Sequence, residues 1–323
     1  MGHLFFNVFD KMNYYGKKNN PFFFLVDFEM NHSLIFKLED LEDYNNLYYW
    51  FNGKTNYYPK EEKKFFPFEM KSYPVSFEEY KRAFEEVKKE FIQGNSFLLN
   101  LTFRTKIEFN KDISLLDIFE ISKANYKIYL KDRFVVFSPE SFVKIINGKI
   151  YTFPMKGTSK SIELLSNEKE LAEHTTVVDL LRNDLSMVAR NVRVERFRFV
   201  DKIYTSKGLL FATSSEICGD LPSNYNEKIG DIIFQLLPAG SVSGSPKVKT
   251  VEIIKRVERI PRGYYCGICG IFDGNNLDSC VMIRFIEKEG DSFYYRSGGG
   301  VTIYSDCLKE YNEMKDKIYV PID

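Results

Sequence analysis

Hydrophobic residues alternate with polar ones in some segments of this chain, and recur about every 3.6 residues in others. The first pattern predicts β-strands and the second predicts α-helices. The first seventy residues alternate aromatic strands with polar turns, and Pro21–Asp27 and Ser33–Leu38 are predicted to pair as a hairpin. A helical spacing of apolar residues begins after Ser76, which opens a capping box with Glu79. We expect this helix to end near Gln93, because a glycine follows it.

The rest of the chain mixes both periods without a repeat or a linker. Further helices are expected over Leu115–Ala124, Asn167–Val188, Asn226–Leu236, Lys247–Val257 and Ser305–Ile318. Further strands are expected over Ser96–Lys106, Arg133–Phe153, Val192–Ile217, Tyr264–Ile271, Asp278–Lys288 and Ser292–Ser297. The charged segment Lys60–Lys71 is predicted to be a loop, and Gly298–Gly300 to break the last sheet. Antiparallel strands with helices between them predict one large α+β domain over residues 1–323.

Composition narrows the class of protein. Of the 323 residues, 44% are hydrophobic, which allows a large core, and Lys+Arg equals Asp+Glu at 45 each. That balance argues against nucleic acid or an anionic membrane as a partner held by bulk charge. Without a signal peptide or an apolar run of about 18 residues, we expect a cytoplasmic protein with reduced thiols. Cys266 and Cys269 form a CxxC, but no second pair accompanies it, which favours small residues in a strand over a zinc or redox site.

A lysine between a proline and a glycine is the most distinctive chemical feature. Lys156 stands in Phe-Pro-Met-Lys-Gly-Thr, directly after an apolar strand. A lysine held on a turn beside a strand can be aimed and partly desolvated, which exposes an amine nucleophile. Glu140, in the upstream Ser-Pro-Glu, is placed to move protons for it. A surface lysine in a Pro-Gly turn produces the same pattern, so the motif alone leaves both interpretations open.

Paired carboxylates on two predicted helices indicate a metal site. Glu170 and Glu173 are i,i+3 neighbours, as are Glu310 and Glu313, whose face also carries Lys317. Such pairs suit Mg²⁺, which proteins usually bind through one or two carboxylates together with waters and the substrate. A capping-box glutamate and a solvated helix face explain the same residues without a metal.

Anion-binding groups recur in three later segments. The loop Pro238–Lys247 contains Ser241 and Gly244 and runs into a helix N-terminus, where hydroxyl and N–H groups suit a carboxylate. Its glycine spacing is not that of a P-loop. Arg284 is a charge in an apolar strand and needs a partner, either a carboxylate ligand or an internal salt bridge. The glycines of Ser297–Gly300 permit close approach of a ligand to the backbone, or form a bulge.

These segments occur together and in one order in the chorismate-utilising enzymes, which the chain resembles. The matching segments are Ser138–Glu140, Pro154–Thr158, Lys169–His174, Val178–Asp184, Pro238–Lys247, Tyr265–Gly267, Ile283–Arg284, Ser297–Gly300 and Glu310–Glu313. The resemblance is strong over residues 76–318 and weaker over residues 1–75. It implies a large α+β sandwich of antiparallel sheets flanked by helices, with a Mg²⁺-dependent site between the sheets.

The resemblance also implies roles for particular residues. Lys156 and Glu140 match catalytic positions, and the metal-site positions are matched by Glu170, Glu173, Glu310 and Glu313. The positions that bind chorismate, including its two carboxylates, are matched by Thr158, Ser241, Gly244, Tyr265, Gly267, Arg284, Gly298, Gly299, Gly300 and Lys317.

Two positions separate the activities within the family. Aminodeoxychorismate synthases carry a lysine at the position of Lys156, where anthranilate synthases carry alanine. Isochorismate and salicylate synthases use a water-activating lysine where Leu98 or Leu99 stands here. The resemblance therefore implies amination of chorismate through a covalent Lys156 adduct, on the route to p-aminobenzoate and folate. Anthranilate synthase component I and a non-catalytic chorismate-binding homologue are the alternatives.

Two further points concern what the chain lacks. The family often has a histidine where Phe211 or Ala212 stands, and its absence gives some weight to the non-catalytic alternative. The intact glutamates, Lys156 and Glu140 count against that alternative. The three histidines, His3, His32 and His174, do not follow a suitable cysteine, so the sequence shows no glutaminase-type site. A separate glutamine amidotransferase subunit is therefore expected to supply ammonia, which makes the working enzyme a heterodimer.

Overall fold

The structure is a computed structural model that describes residues 7–59, 68–159, 168–205 and 208–322. Within these ranges, the side chains of residues 156–159, 168–170, 173, 201–205, 208–210 and 212 lie outside the description. The helices are α1 (Val8–Lys17), α2 (Phe77–Ile92), α3 (Leu115–Ile121), α4 (Glu168–Ser186), α5 (Ile229–Leu236), α6 (Lys247–Glu258) and α7 (Cys307–Asp316). None of them combines the length and the apolar character that a membrane crossing needs.

The strands of the described residues form two antiparallel sheets. In chain order they are β1 (Phe22–Val26), β2 (Leu34–Lys37), β3 (Leu47–Phe51), β4 (Lys54–Thr55), β5 (Met70–Tyr73), β6 (Leu98–Phe109), β7 (Tyr126–Leu130), β8 (Phe134–Ser138), β9 (Ser141–Ile146), β10 (Lys149–Thr152), β11 (Met155–Ser159), β12 (Arg190–Thr205), β13 (Gly208–Asp220), β14 (Gly244–Ser245), β15 (Ile268–Phe272), β16 (Leu277–Val281), β17 (Phe285–Glu289) and β18 (Ser292–Thr302). One sheet has the order β11-β13-β10-β9-β16-β15-β1-β2, with β12 paired to β13. The other has the order β14-β6-β18-β17-β8-β7-β3-β4, with β5 paired to β6.

Aromatic side chains join the two sheets face to face. Phe23 of β1, in the first sheet, stacks on Tyr49 of β3, in the second, with ring centroids 5.2 Å apart. Phe51 of β3 also meets Phe23 in a T-shaped contact, with ring centroids 6.0 Å apart. All five residues of β1 are buried, because the opposite face of this strand is covered as well. The predicted α+β sandwich of antiparallel sheets flanked by helices is confirmed.

The first helix was not expected, since the opening residues were interpreted as strands and turns only. Asn7 caps α1 by accepting a hydrogen bond from the Asp10 N–H. The helix then packs against α5, where a Cβ on Gly230 would lie 2.0 Å from the backbone oxygen of Phe9. Because this contact depends on a glycine far away in sequence, the local pattern could not indicate it.

Two further expectations about strands are wrong. Asp278–Lys288 is not one strand: β16 belongs to the first sheet and β17 to the second, and the chain crosses between the sheets at Met282–Arg284. Gly298–Gly300 do not break a sheet, because they lie inside β18 and pair with Thr102, Leu101 and Asn100 of β6. In the segment predicted as a loop, residues 60–67 lie outside the described residues, and Met70 and Lys71 belong to β5.

A buried ion pair ties the end of α6 to both sheets. The side chains of Arg262 and Glu258 are 1% and 5% exposed, and the guanidinium NH2 lies 2.6 Å from Glu258 Oε1. The same guanidinium donates to the carbonyl oxygens of Asn100 in β6 and of Val242 in the loop between α5 and β14. The Arg262 N–H donates to Glu29, which lies just after β1. Since every charged atom has partners, the pair can be buried at a tolerable cost.

Replacement of Arg262 tests this account. Arg262→Met should lower the free energy of unfolding by about 3–5 kcal/mol, because Glu258 would remain buried without its counter-ion. Arg259→Met is the matched control: its side chain is 79% exposed, and we expect a change within about 0.5 kcal/mol. Urea denaturation followed by circular dichroism measures both values, and equal losses in the two variants would contradict the role given to the buried pair.

Candidate active site

A single large cavity collects most of the predicted site residues. It has a volume of about 1010 Å³ and is lined by residues of both sheets, α4, α7 and the Pro238–Pro246 loop. The predicted site residues in its lining are Glu140, Ser241, Gly244, Tyr265, Arg284, Gly298, Gly299, Gly300, Glu310, Glu313 and Lys317. Segments widely separated in sequence therefore converge on one concave surface, which is the usual form of a small-molecule site.

Glu140 is held on the cavity wall by the motif around it. The Ser138 side chain accepts a hydrogen bond from the Glu140 N–H, and the Glu140 carbonyl accepts one from Val281. The Ser241 hydroxyl donates to Glu140 Oε1 at 2.5 Å. Because Ser241 belongs to the loop between α5 and β14, this bond fixes the carboxyl group relative to that loop. A carboxyl group oriented in this way can donate or accept a proton at one defined point in the cavity.

Lys156 lies in a strand rather than on a turn, which corrects the expectation from its Pro-Met-Lys-Gly context. Its backbone belongs to β11 and pairs with Thr213, and the register shifts between Lys156 and Thr158. An irregularity at the intervening Gly157 accounts for the turn-like sequence. Pro154 and Met155, just before it, line the cavity. The side chains of Lys156 and Thr158 lie outside the described residues, so their roles remain predictions.

The glycines of β18 lie close to charged side chains of α7 at the cavity. β17 pairs with β18 only as far as Arg296, so one edge of β18 is uncovered from there on. Lys317 uses this edge, because its ammonium donates to the Gly298 carbonyl at 2.8 Å and to Glu313 Oε1 at 2.7 Å. A Cβ on Gly299 would lie 3.4 Å from Glu313 Oε1 and 3.6 Å from Glu310 Oε2. The charged face of α7 therefore points at the glycines and is not an ordinary solvated face.

This arrangement suits a divalent cation. Glu310 and Glu313 direct carboxylate oxygens to one side of Gly299, and Mg²⁺ needs only one or two such carboxylates besides water and substrate. One face of α4 lines the cavity through Val177 and Leu181. Positions 170 and 173 belong to the same face, because they precede Val177 by about two turns and one turn of the helix. The side chains of Glu170 and Glu173 lie outside the described residues. Among the described side chains, no group of three or more potential ligands is present.

Arg284 occupies the crossing between the sheets. Its backbone is in the left-handed region with φ of 53°, and its carbonyl accepts a hydrogen bond from Phe137. The side chain lines the cavity, where its Nε lies 3.4 Å from the Tyr319 hydroxyl. Among the described residues, it forms no salt bridge with a carboxylate, so the internal salt bridge considered from the sequence is not seen there. A cation placed in this way suits an anionic ligand.

The remaining predicted contacts divide into two kinds. Tyr265 is buried at the cavity, and burial raises the pKa of its phenol well above its usual value, so the hydroxyl stays protonated and able to donate. Gly244, with φ of 140°, also lines the cavity, and a Cβ there would lie 1.9 Å from the Leu98 carbonyl. Gly267 instead packs against β1, since a Cβ on it would lie 2.2 Å from the Val26 carbonyl. The substrate contact predicted for Gly267 therefore has no support from its position.

Several residues that support the cavity were not singled out from the sequence. Lys247 lies 3.0 Å from Asp184, and both side chains are largely buried. Burial raises the pKa of the Asp184 carboxyl, and the neighbouring Lys247 ammonium opposes that rise. This pair joins α4 to the start of α6 beside Gly240. The i,i+4 spacing of Glu258 and Arg262 was visible in the sequence, but nothing in it showed that this pair would be buried.

The family assignment follows from comparison with known proteins. Residues 5–323 match the model of a family described as "chorismate binding enzyme". Since the match covers almost the whole chain, the protein belongs to the chorismate binding enzyme family. Membership supports chorismate as the substrate.

Individual relatives within the family carry different names. A Haemophilus influenzae protein named "uncharacterized PabA-like protein" is 48% identical over 320 residues, which is 97% of this chain and 96% of that protein. Aminodeoxychorismate synthase component 1 of Bacillus subtilis is 35% identical over 62% of this chain and 45% of its own length. Anthranilate synthase component 1 of Acetivibrio thermocellus is also 35% identical, over 61% of this chain and 42% of its own length. Overall identity therefore does not separate the two activities.

The fold has close counterparts among solved structures. The menaquinone-specific isochorismate synthase MenF of Escherichia coli superimposes with a TM-score of 0.71 over 94% of this chain and 78% of that protein, at 15% sequence identity. At this level of identity, the likeness concerns the fold alone.

Adjacent glycines in β18 give a test of the cavity geometry. Gly298→Ala should lower the free energy of unfolding by about 1–3 kcal/mol, because its Cβ would lie 2.2 Å from the Leu101 carbonyl. Gly299→Ala should leave stability unchanged, yet place a methyl group 3.5 Å from the Lys317 ammonium inside the cavity. We expect it to weaken chorismate binding in isothermal titration calorimetry. Unchanged binding by a folded Gly299→Ala protein would show that the ligand does not approach this strand.

Proposed function

We propose that this protein is the chorismate-aminating component of an aminodeoxychorismate synthase, which converts chorismate and ammonia to 4-amino-4-deoxychorismate. The observation that carries the proposal is the position of Lys156 in β11, immediately after Pro154 and Met155 of the cavity lining. Glu140 stands on the same cavity wall, where Ser241 orients it. A lysine directed into this cavity beside the Glu140 carboxyl group would supply a nucleophile and a proton donor.

In the proposed mechanism, the amine of Lys156 forms a bond to C2 of chorismate. The ring double bonds shift, the C4–O bond breaks, and Glu140 protonates the leaving hydroxyl group so that it departs as water. Ammonia then attacks C4, the double bonds shift back, the bond between C2 and the lysine breaks, and a proton returns to Glu140. The net change is chorismate plus ammonia giving 4-amino-4-deoxychorismate plus water. Two conjugate displacements replace one direct substitution at C4.

The other groups of the cavity would bind and orient the substrate. Arg284, Lys317 and the Tyr265 hydroxyl supply donors for its two carboxylates. Glu310 and Glu313, with Glu170 and Glu173 of α4, would hold Mg²⁺, which when bound offsets carboxylate charge and withdraws electrons from the ring. The Lys317 ammonium, 2.7 Å from Glu313 Oε1, offsets part of the negative charge on this face of α7.

Addition of water to chorismate is disfavoured by the cavity wall at β6. Of the two positions that match the water-activating lysine, Leu98 lines the cavity and Leu99 is fully buried in the core, so the matching side chain at the cavity is aliphatic. A leucine cannot activate water as a base. Anthranilate synthesis remains the competing reaction, because a relative of that name is as similar as the aminating one. Lys156 favours amination without loss of pyruvate.

The direct test is incubation of the protein with chorismate, Mg²⁺ and ammonium, with products resolved by mass spectrometry and by a coupled lyase that forms p-aminobenzoate. An amino product that keeps the enolpyruvyl group and depends on Mg²⁺ supports the proposal. Anthranilate with pyruvate would overturn it in favour of the competing activity. Chorismate binding without turnover, even with ammonium at saturation, would indicate the non-catalytic alternative or a required amidotransferase subunit, which adding that subunit would distinguish.

Lys156→Ala should abolish ammonium-dependent amination while leaving chorismate affinity within a few-fold of the wild type, because it removes a covalent nucleophile and not a carboxylate contact. Lys149→Ala, an exposed lysine on the adjoining β10, is the matched control and should keep full activity. Trapping of a chorismate adduct on Lys156 by rapid quench and peptide mass spectrometry provides a second readout. Retained turnover in Lys156→Ala would rule out the nucleophile role.

Glu140→Gln should reduce kcat by about 10²–10⁴-fold, because the amide can still accept the hydrogen bond from Ser241 but cannot deliver the acid proton. Ser241→Ala is the companion variant and should show a smaller loss, since the carboxyl group remains but is less well oriented. Steady-state kinetics at saturating ammonium gives both values. A larger loss in Ser241→Ala than in Glu140→Gln would contradict the assignment of Glu140 as the acid.

A further inference from the structure

The segment that follows α7 is anchored along one wall of the cavity. Ile318 and Val320 pack against the smaller of the two core clusters, which includes Tyr295. The Tyr295 hydroxyl donates to the Tyr319 carbonyl at 2.9 Å, and Lys123 N–H donates to the Pro321 carbonyl at 2.7 Å. Side chains at alternate positions therefore hold this segment against the protein, and its backbone is fixed at two further points.

Tyr319 points the other way, because it lies between the two inward-facing residues. Its side chain is 44% exposed and lines the cavity. The Tyr319 hydroxyl lies 3.4 Å from Arg284 Nε, and the guanidinium carbon of Arg284 is 5.2 Å from the centre of the ring. The tyrosine thus touches the cation by two routes, a hydrogen bond and a cation–π contact.

Among the described residues, Tyr319 provides the hydrogen bond and the cation–π contact of the Arg284 side chain. The Arg284 backbone is fixed by its left-handed φ and by the bond to Phe137, but its guanidinium has no carboxylate partner among the residues described. An arginine has several rotatable bonds, and an unrestrained one loses entropy when it binds an anion. A restraint already present before the ligand arrives removes part of that loss.

We propose that Tyr319 is a positioning residue that orients Arg284 toward a carboxylate of the substrate. This inference rests on the proposed function for the identity of the ligand, chorismate. It does not make Tyr319 a catalytic residue, since the ring acts on the substrate only through the arginine. The anchored segment places it there, which gives the residues that follow α7 a role in substrate recognition.

The experiment is a double-mutant cycle on chorismate binding, measured by calorimetry with Mg²⁺ present. Tyr319→Leu should weaken binding about three- to thirtyfold, the range expected for a cation–π contact and a hydrogen bond together. Tyr319→Phe, which keeps the ring, should recover part of this loss. Tyr304→Leu is the matched control, because Tyr304 is 88% exposed and is not one of the described residues that line the cavity.

The decisive comparison is made with Arg284→Gln. If Tyr319 acts through the arginine, Tyr319→Leu should cause no further loss once Arg284 is replaced. Independent, additive losses would overturn the inference and leave Tyr319 as a structural or direct contact. In steady-state kinetics of chorismate amination, we expect Tyr319→Leu to raise KM and to change kcat little, because the Tyr319 ring takes no part in the chemical step.

A readout without ligand separates failure of this inference from failure of the proposed function. Two-dimensional NMR of protein labelled with [¹⁵N]arginine should show that Tyr319→Leu shifts the Arg284 Nε–H signal, which is assigned by its loss in Arg284→Lys. An unchanged signal overturns the contact on which the inference stands. If the wild-type protein does not bind chorismate at all, the proposed function fails, and the NMR result still decides whether Tyr319 holds the arginine.

Discussion

Two full charges, Arg262 and Glu258, are buried together where α6, β6 and the Pro238–Pro246 loop meet, and the shape of the cavity depends on them. The guanidinium binds the backbone of β6 and of the loop, and the Glu258 carboxylate accepts two hydrogen bonds from Thr102. The Arg262 N–H also donates to Glu29, which follows β1 in the opposite sheet. Because a charge in the protein interior is tolerated only with complete partners, these segments are held in one relative position.

The loop fixed in this way carries Ser241 to Glu140, so the orientation of the proposed acid is a consequence of packing some distance away. Asp184 and Lys247 perform a similar task beside Gly240 of the loop, where they join α4 to α6. The candidate active site therefore consists of a few chemically active groups on a frame of buried ion pairs. Such a frame keeps polar groups oriented before a substrate arrives, which is a general requirement for efficient binding and catalysis.

Much of the site was predictable from residue type and order. The motifs around Glu140, Ser241, Arg284, Gly298 and Glu313 were found in the sequence, and all five positions line the cavity. Errors arose where local pattern and tertiary environment disagree. Arg284 was placed in a strand because its neighbours are apolar, whereas the chain changes sheets there, and no glycine or proline marks the change. The glycines of β18 were interpreted as a break, but they pair fully with β6.

The sequence by itself determined the class of fold, most helices and strands, and the set of chemical groups available, because these depend on periodicity and on residue types in short segments. It also showed Lys156 where anthranilate synthases carry alanine, and Leu98 or Leu99 where isochorismate and salicylate synthases carry lysine. Only the tertiary structure decided which charges are buried together, that Gly267 packs against β1 and away from the cavity, and that Tyr319 meets Arg284. Those outcomes depend on contacts between residues far apart in the chain, whose burial and partners no local pattern encodes.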